Sequence, residues 1–176
     1  MADDEHATRL DHLWRVHADA QQTIRALDAK AFGLLALSTA MLALVSNASD
    51  DLASHRFAAA SGIAGALLLL AGGVLAMAVV YPRPARRARE EPAADADALD
   101  LFGPDIRRRH ADAAGYRAAQ SDLSASDLAG RVATGVHRLA WIVEAKAVWV
   151  RAAAVCTGLG LVLAGVGVAA GAVASG

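Results

Sequence analysis

The stretch "LDAKAFGLLALSTAMLALVS", residues 27–46, passes from charged to apolar sequence at its very start. Asp28 and Lys30 stand at this boundary, and residues 31–49 carry no charge. Two further uncharged runs follow, at residues 57–82 and 152–176. Because about 20 helical residues cross a hydrocarbon core of roughly 30 Å, each run is long enough to span a membrane. The stretch therefore predicts the first of three transmembrane helices.

The composition favours a membrane protein over a soluble helical bundle. Of the 176 residues, 56% are hydrophobic, whereas roughly 45–50% is usual in soluble domains. A helix on the surface of a soluble bundle needs a polar face, and the three apolar runs have none. We therefore predict an all-α membrane protein with three transmembrane helices, of which the first and third are long and extend into the cytosol, plus a short cytosolic helix.

The basic residues predict the orientation. Residues 1–30 and 83–151 together carry every Lys and Arg except Arg56, which lies in the short loop beside Asp50 and Asp51. Since basic loops stay on the cytosolic side, the N-terminus and residues 83–151 are expected in the cytosol and the C-terminus outside.

Helical periodicity extends both long helices beyond the membrane. Apolar positions with a 3–4 spacing run through residues 10–34, and a similar stripe runs through residues 132–150. Ser124 and Asp127 form a plausible capping box for the last helix. The resulting organisation begins with a cytosolic helix at 1–30 and a transmembrane hairpin at 31–82 (spans 31–49 and 57–82). A flexible linker follows at 83–104. The chain ends with a cytosolic helical segment at 105–151, which contains a short helix at about 105–119, and a third span at 152–176.

An acid-Ala-Lys-Ala element occurs twice, each time just before a span. Residues 28–31 read "DAKA", and residues 144–147 read "EAKA". The chain has only two lysines, and both lie in this element. A lysine near the end of a span commonly places its ammonium in the interface, which would explain each copy singly. The repetition favours a shared role for Asp28, Lys30, Glu144 and Lys146.

Cations, an aromatic ring and an acid near this element could receive a small anionic ligand. Cations bind phosphate, a ring stacks on a base, and an acid accepts from a base N–H. The candidate ligand-binding or coupling residues are Asp28, Lys30, Glu144, Lys146, Arg25, Arg138, Trp141, His137 and Gln21.

Enzyme chemistry has no support in the sequence. It contains no GxSxG, HExxH or Walker motif and no Cys/His cluster, so no catalytic residue, metal or cofactor is predicted. Cys156 lies within the third span as a small packing residue. The arginines at 83–89 directly follow a span, so we expect contact with lipid and not with nucleic acid.

Glycines in the third span indicate close helix packing. Gly160 and Gly167 are seven residues apart, and Gly167 and Gly171 form a GxxxG motif. Small residues at such spacings let backbones approach closely in lipid. They predict packing between chains in a homo-oligomer, and packing within one chain is an equal alternative.

The two long helices resemble the transmembrane effectors of Pycsar, the pyrimidine-cyclase system of bacterial antiphage defence. The resemblance rests on "IRALDAKAFGLLAL" and on "DLAGRVATGVHRLAWIVEAKAVWVRAAAVCTGLGL", and covers roughly residues 8–81 and 122–165. It implies a multi-pass protein of the bacterial inner membrane that senses cCMP or cUMP from a partner cyclase. It also implies that the activated effector impairs that membrane and causes abortive infection. The alternatives are a ligand-independent scaffold or complex subunit, and a holin-like pore former.

Overall fold

A computed structural model of the chain describes residues 2–47, 56–80, 112–121 and 123–175. All regular structure in these residues is helical. The helices are α1 (Ala2–Asn47), α2 (Arg56–Val80), α3 (Ala113–Ser121) and α4 (Ala125–Ser175). Helices α1, α2 and α4 each contain a stretch long and apolar enough to cross a membrane. The prediction of an all-α membrane protein with three spans is confirmed, and the cytosolic location of the helix extensions stays a prediction.

Both long helices run without a break. No proline or glycine interrupts residues 7–32 of α1, and the helix is 46 residues long. Helix α4, of 51 residues, starts at the predicted capping box. The Asp127 N–H donates to Ser124 Oγ at 3.2 Å, and the Ser124 N–H donates to Asp127 Oδ2 at 3.3 Å. Glycines do not break α4 in its apolar half, because backbone groups in lipid have no partner outside the helix.

The predicted apolar stripes are the faces that the two helices bury. Every stripe residue described is buried or half-buried. In α1 they are Leu10, Leu13, His17, Ala20, Ile24, Leu27, Ala31 and Leu34, and in α4 they are Val132, Val136, Leu139, Val143, Lys146 and Val150. The 3–4 spacing thus located the packed face of α1 over residues 10–34 and of α4 over residues 132–150.

The short helix α3 lies later than the predicted range of about 105–119. It begins after Asp112, whose Oδ1 accepts a hydrogen bond from the Gly115 N–H at 2.7 Å. A side-chain acceptor at this position satisfies a free N–H of the first turn and so fixes the helix start. Residues 105–111, and the predicted linker at 83–104, lie outside the described residues.

The chain divides into two compact units. The first comprises Met1–Ile24 and Arg83–Glu144, and the second comprises Arg25–Pro82 and Ala145–Gly176. In the first unit, His17 and Val132 are buried. In the second, a core of small apolar residues joins all three apolar helices. Its buried members are Ala31, Ala76, Val79, Val150 and Ala153.

Candidate functional site

The two copies of the acid-Ala-Lys-Ala element meet in one ion pair. Lys146 Nζ donates a hydrogen bond to Asp28 Oδ1, so the lysine of the second copy pairs with the acid of the first. The Lys146 side chain is 18% exposed and that of Asp28 is 30% exposed. Because both charges are largely removed from water, they attract each other more strongly than a surface pair does.

The other two members of the repeated element stay in solvent. Lys30 and Glu144 are both exposed, and among the described residues neither makes an ion pair. Each copy therefore uses one of its two charges in the Asp28–Lys146 pair and leaves the other accessible. One exposed cation and one exposed anion remain next to the spans.

The remaining candidates differ in exposure. In the second unit Arg25 is exposed, and in the first unit Gln21, His137 and Trp141 are also exposed, the Trp141 side chain by 46%. Arg138 is half-buried and its Nε atom is buried. An exposed indole on a helix before a span offers a face on which a planar base can stack.

One histidine of α1 is buried among its neighbours. His17 is 7% exposed, and its ring meets that of Trp14 edge to face with the centroids 5.6 Å apart. Burial lowers the pKa of His17 below its usual 6.5, because the charged imidazolium loses hydration there. Burial therefore favours the neutral imidazole in the folded state.

The core of the second unit continues from the ion pair into the spans. Ala31 follows Asp28 by one helical turn, and Val150 follows Lys146 by one turn, and both are buried in the same cluster. Trp149 and Leu35 are half-buried against this cluster. Apolar packing thus begins directly beside the charged pair.

Deeper in the spans, a second polar contact joins α1 to α4. Ser38 Oγ and Thr157 Oγ1 are 3.1 Å apart and share a hydrogen bond. Both residues are 1% exposed. Ten residues of helix separate Ser38 from Asp28, which is about 15 Å. If the ion pair marks the edge of a hydrocarbon core of roughly 30 Å, the hydroxyl pair lies near its middle.

Neither residue of this hydroxyl pair is among the predicted site residues. A threonine in an uncharged span is a polar group that needs an acceptor, which is the signal that could have drawn attention to Thr157. The sequence does not give the partner, because the repeat offset places Ala154 and not Thr157 opposite Ser38.

The predicted packing glycines contact α2 of the same chain. A Cβ atom at Gly160 would lie 2.9 Å from Leu69 Cγ, and one at Gly167 would lie 2.9 Å from Ser61 Oγ. Gly171 is also buried. These distances describe packing within one chain, the alternative left open above. A further role of Gly160, Gly167 and Gly171 between chains stays a prediction.

Among the described residues, no group of three or more His, Cys, Asp or Glu side chains is placed to hold a metal ion. Cys156 is a half-buried free thiol. The polar groups of the site are those that can bind by charge, hydrogen bond and stacking.

Comparison with known proteins gives one match. A family model described as the Pycsar effector protein domain matches residues 12–172. The matched range includes both copies of the repeated element, all of α2, and most of α1 and α4. No curated protein and no solved structure matches the chain.

Proposed function

Because the chain belongs to the Pycsar effector family, we propose that it is a defence effector that responds to cCMP or cUMP made by a partner cyclase. In this proposal the activated protein impairs the bacterial inner membrane and causes abortive infection. The N-terminus and residues 83–151 face the cytosol, where the nucleotide is made. The observation that carries the proposal is the Asp28–Lys146 pair, which joins α1 to α4 at the start of their apolar halves.

The resting state is held in part by this ion pair. A partly buried pair is costly to break by removing one partner, because the other charge then lacks compensation. A ligand can favour the second state only through its different affinity for the two states. A cyclic nucleotide carries one negative charge, so its phosphate competes with Asp28 for Lys146.

Groups close in sequence to Asp28 and Lys146, on α1 and α4, are the candidates for binding such a ligand. Lys30 and Arg25 offer further cations for the phosphate, with Arg138 a third candidate, and Trp141 offers a ring for the base. Glu144, His137 and Gln21 are hydrogen-bonding candidates for the edge of the base. Since α1 and α4 are unbroken helices, a shift at these residues is carried along each helix into its span.

The test compares Asp28→Asn with Asp11→Asn. Both aspartates belong to α1 and both form ion pairs, but the Asp11–Arg15 pair is exposed and lies within one helix. We expect Asp28→Asn to depolarise cells without any cyclase, and Asp11→Asn to behave like wild type. Membrane potential is followed with a dye in cells with and without a pyrimidine cyclase.

A second comparison addresses the ligand. Lys30→Ala leaves the Asp28–Lys146 pair intact, so it should keep the resting potential and lose the response to the cyclase. Direct binding of cCMP and cUMP to purified protein in nanodiscs should weaken in parallel. If the wild-type protein binds neither nucleotide and the cyclase does not change the membrane potential, the proposed function is wrong. A ligand-independent scaffold or pore former would then be the better interpretation.

A further inference from the structure

Helices α2 and α4 pack through their backbones. A Cβ atom at Gly65 would lie 2.6 Å from the Ala164 nitrogen, and one at Gly167 would lie 2.9 Å from the Gly62 nitrogen. Real Cβ atoms do not approach other atoms this closely, so only glycine permits the contact. Close backbone packing is a main source of helix association in lipid, and it is lost as soon as the helices separate.

Helix α1 is held by contacts of a different kind. It meets the other helices through side chains: the Asp28–Lys146 pair, the Ser38–Thr157 hydrogen bond, and the apolar core that contains Ala31. Towards α2 there is room for a side chain, since a Cβ atom at Gly73 would lie 3.6 Å from Leu35 Cδ1 and 3.8 Å from Ser38 Cβ. These are ordinary van der Waals distances, and the backbones do not interlock there.

The hydroxyl pair can be broken at little cost. A serine or threonine in a helix can donate to the carbonyl four residues earlier, so it has an acceptor even when no partner helix is present. This chain uses that bond twice nearby. Thr39 Oγ1 donates to the Leu35 carbonyl at 2.9 Å, and Ser61 Oγ donates to the Phe57 carbonyl at 2.9 Å. Ser38 and Thr157 have the same option, so separation leaves no hydroxyl without an acceptor.

We propose that α1 is the helix that moves, and that α2 and α4 stay together as one rigid pair. Opening of the structure separates the apolar half of α1 from this pair, breaking the ion pair and the hydroxyl pair together. Only the trigger of this movement rests on the proposed function. The division into a mobile helix and a rigid pair rests on the contacts themselves.

The experiment measures the three helix–helix distances directly. Leu37 of α1, Leu70 of α2 and Leu159 of α4 are exposed, so each can carry a spin label in a Cys156→Ala background without disturbing a contact. Pairwise distance distributions are recorded by electron–electron double resonance in nanodiscs, without nucleotide. They are compared between the parent protein, Thr157→Val and Thr39→Val.

Thr157→Val removes the inter-helix hydroxyl, whereas Thr39→Val removes an exposed hydroxyl that bonds only within its own helix. In Thr157→Val we expect the population with long distances from Leu37 to the other two labels to rise about threefold. A factor of about three corresponds to the loss of an average inter-helix hydrogen bond in a membrane. The Leu70–Leu159 distribution should stay narrow, and Thr39→Val should match the parent. Ser38→Ala removes the other hydroxyl of the bond and serves if Thr157→Val fails to insert.

Broadening of the Leu70–Leu159 distribution in Ser38→Ala would overturn the proposal. This criterion uses Ser38→Ala because Thr157 Oγ1 also lies against Gly72 of α2. The proposal would also be wrong if the Leu37 distances in Thr157→Val and in Ser38→Ala both equalled those in Thr39→Val. Failure of cCMP and cUMP to act on wild-type protein would contradict the proposed function alone, because these measurements use no nucleotide.

Discussion

Gly65 and Gly160 approach each other reciprocally across α2 and α4. A Cβ atom at Gly65 would lie 2.9 Å from the Gly160 carbonyl oxygen, and a Cβ atom at Gly160 would lie 3.0 Å from the Gly65 carbonyl oxygen. The two backbones are therefore in contact where each helix lacks a side chain. Gly160 and Gly167 of α4 therefore lie against α2 of the same chain.

Alanine at Gly160 should destabilise the protein, whereas alanine at Gly158 should not. The added methyl at Gly160 meets Leu69 and the Gly65 carbonyl, and overpacking of this kind costs about 1–3 kcal/mol. Gly158 lies two residues away on the same helix and has nothing within 4 Å of its Cβ position. The free energy of unfolding in mixed micelles measures the difference. Equal values for the two variants would contradict the intramolecular packing of α2 and α4.

A disulfide between Ser38→Cys in α1 and Gly73→Cys in α2 should prevent α1 from separating from α2. The Cβ position at Gly73 is 3.8 Å from Ser38 Cβ, close to the mean of about 3.8 Å in disulfides. In a Cys156→Ala background, oxidation should abolish the membrane depolarisation that a co-expressed pyrimidine cyclase causes, and a reductant should restore it. Ser38→Cys alone, treated with the same oxidant, is the control. Depolarisation that persists in the fully oxidised double variant would mean that α1 need not move.

The stability of α1 ahead of its apolar part should fall in mild acid because of His17. A base whose pKa is lowered on folding binds protons more readily in the unfolded chain, so the stability is complete above the unfolded pKa of 6.5 and falls as the pH drops below it. Hydrogen exchange of residues 10–24, corrected for intrinsic rates, should speed up between about pH 7.5 and about pH 5.5. His17→Gln should reduce this dependence, and His12→Gln, at an exposed position on the same helix, should leave it unchanged.

The predicted orientation, with the N-terminus and residues 83–151 in the cytosol, determines which thiols should react from outside the cell. Asn47, the last residue of α1, and Ala118 of α3 are both exposed. With Cys156→Ala, a cysteine at position 47 should react with an impermeant maleimide on intact cells, and one at position 118 should react only after lysis. The reverse pattern would place the sensing residues on the wrong side of the membrane for a cytosolic nucleotide.

The sequence predicted the helices well because membrane length and helical periodicity act locally. A long run of apolar residues forms a helix in lipid whatever the rest of the chain does. The 3–4 spacing from Leu10 to Leu34 likewise depends on the sequence of α1 alone. The capping box at Ser124 is equally local. The start of α3 was placed too early, since it depends on one side chain, Asp112, among several polar residues.

The pairing within the site was only half accessible from sequence. The repeat drew attention to Asp28 and Lys146, which form an ion pair, and to Lys30 and Glu144, which are exposed. The shared role of these four residues stays a prediction. Which charges meet depends on the rotation and axial shift of one helix against the other, and that shift is set by non-local packing. The same shift decides that Thr157 faces Ser38. Glycine spacing likewise indicated a close partner for α4 without identifying it as α2.

The length of α2 carries a consequence for the bilayer itself. Helix α2 has 25 residues and is therefore about 37 Å long, which exceeds a hydrocarbon core of roughly 30 Å. A helix that is longer than the core is thick relieves this mismatch by tilting. Because the backbones of α2 and α4 are in contact at Gly65 and Gly160, we expect a tilt of α2 to carry α4 with it. Acyl-chain length therefore becomes a variable that changes the tilt of this pair of helices.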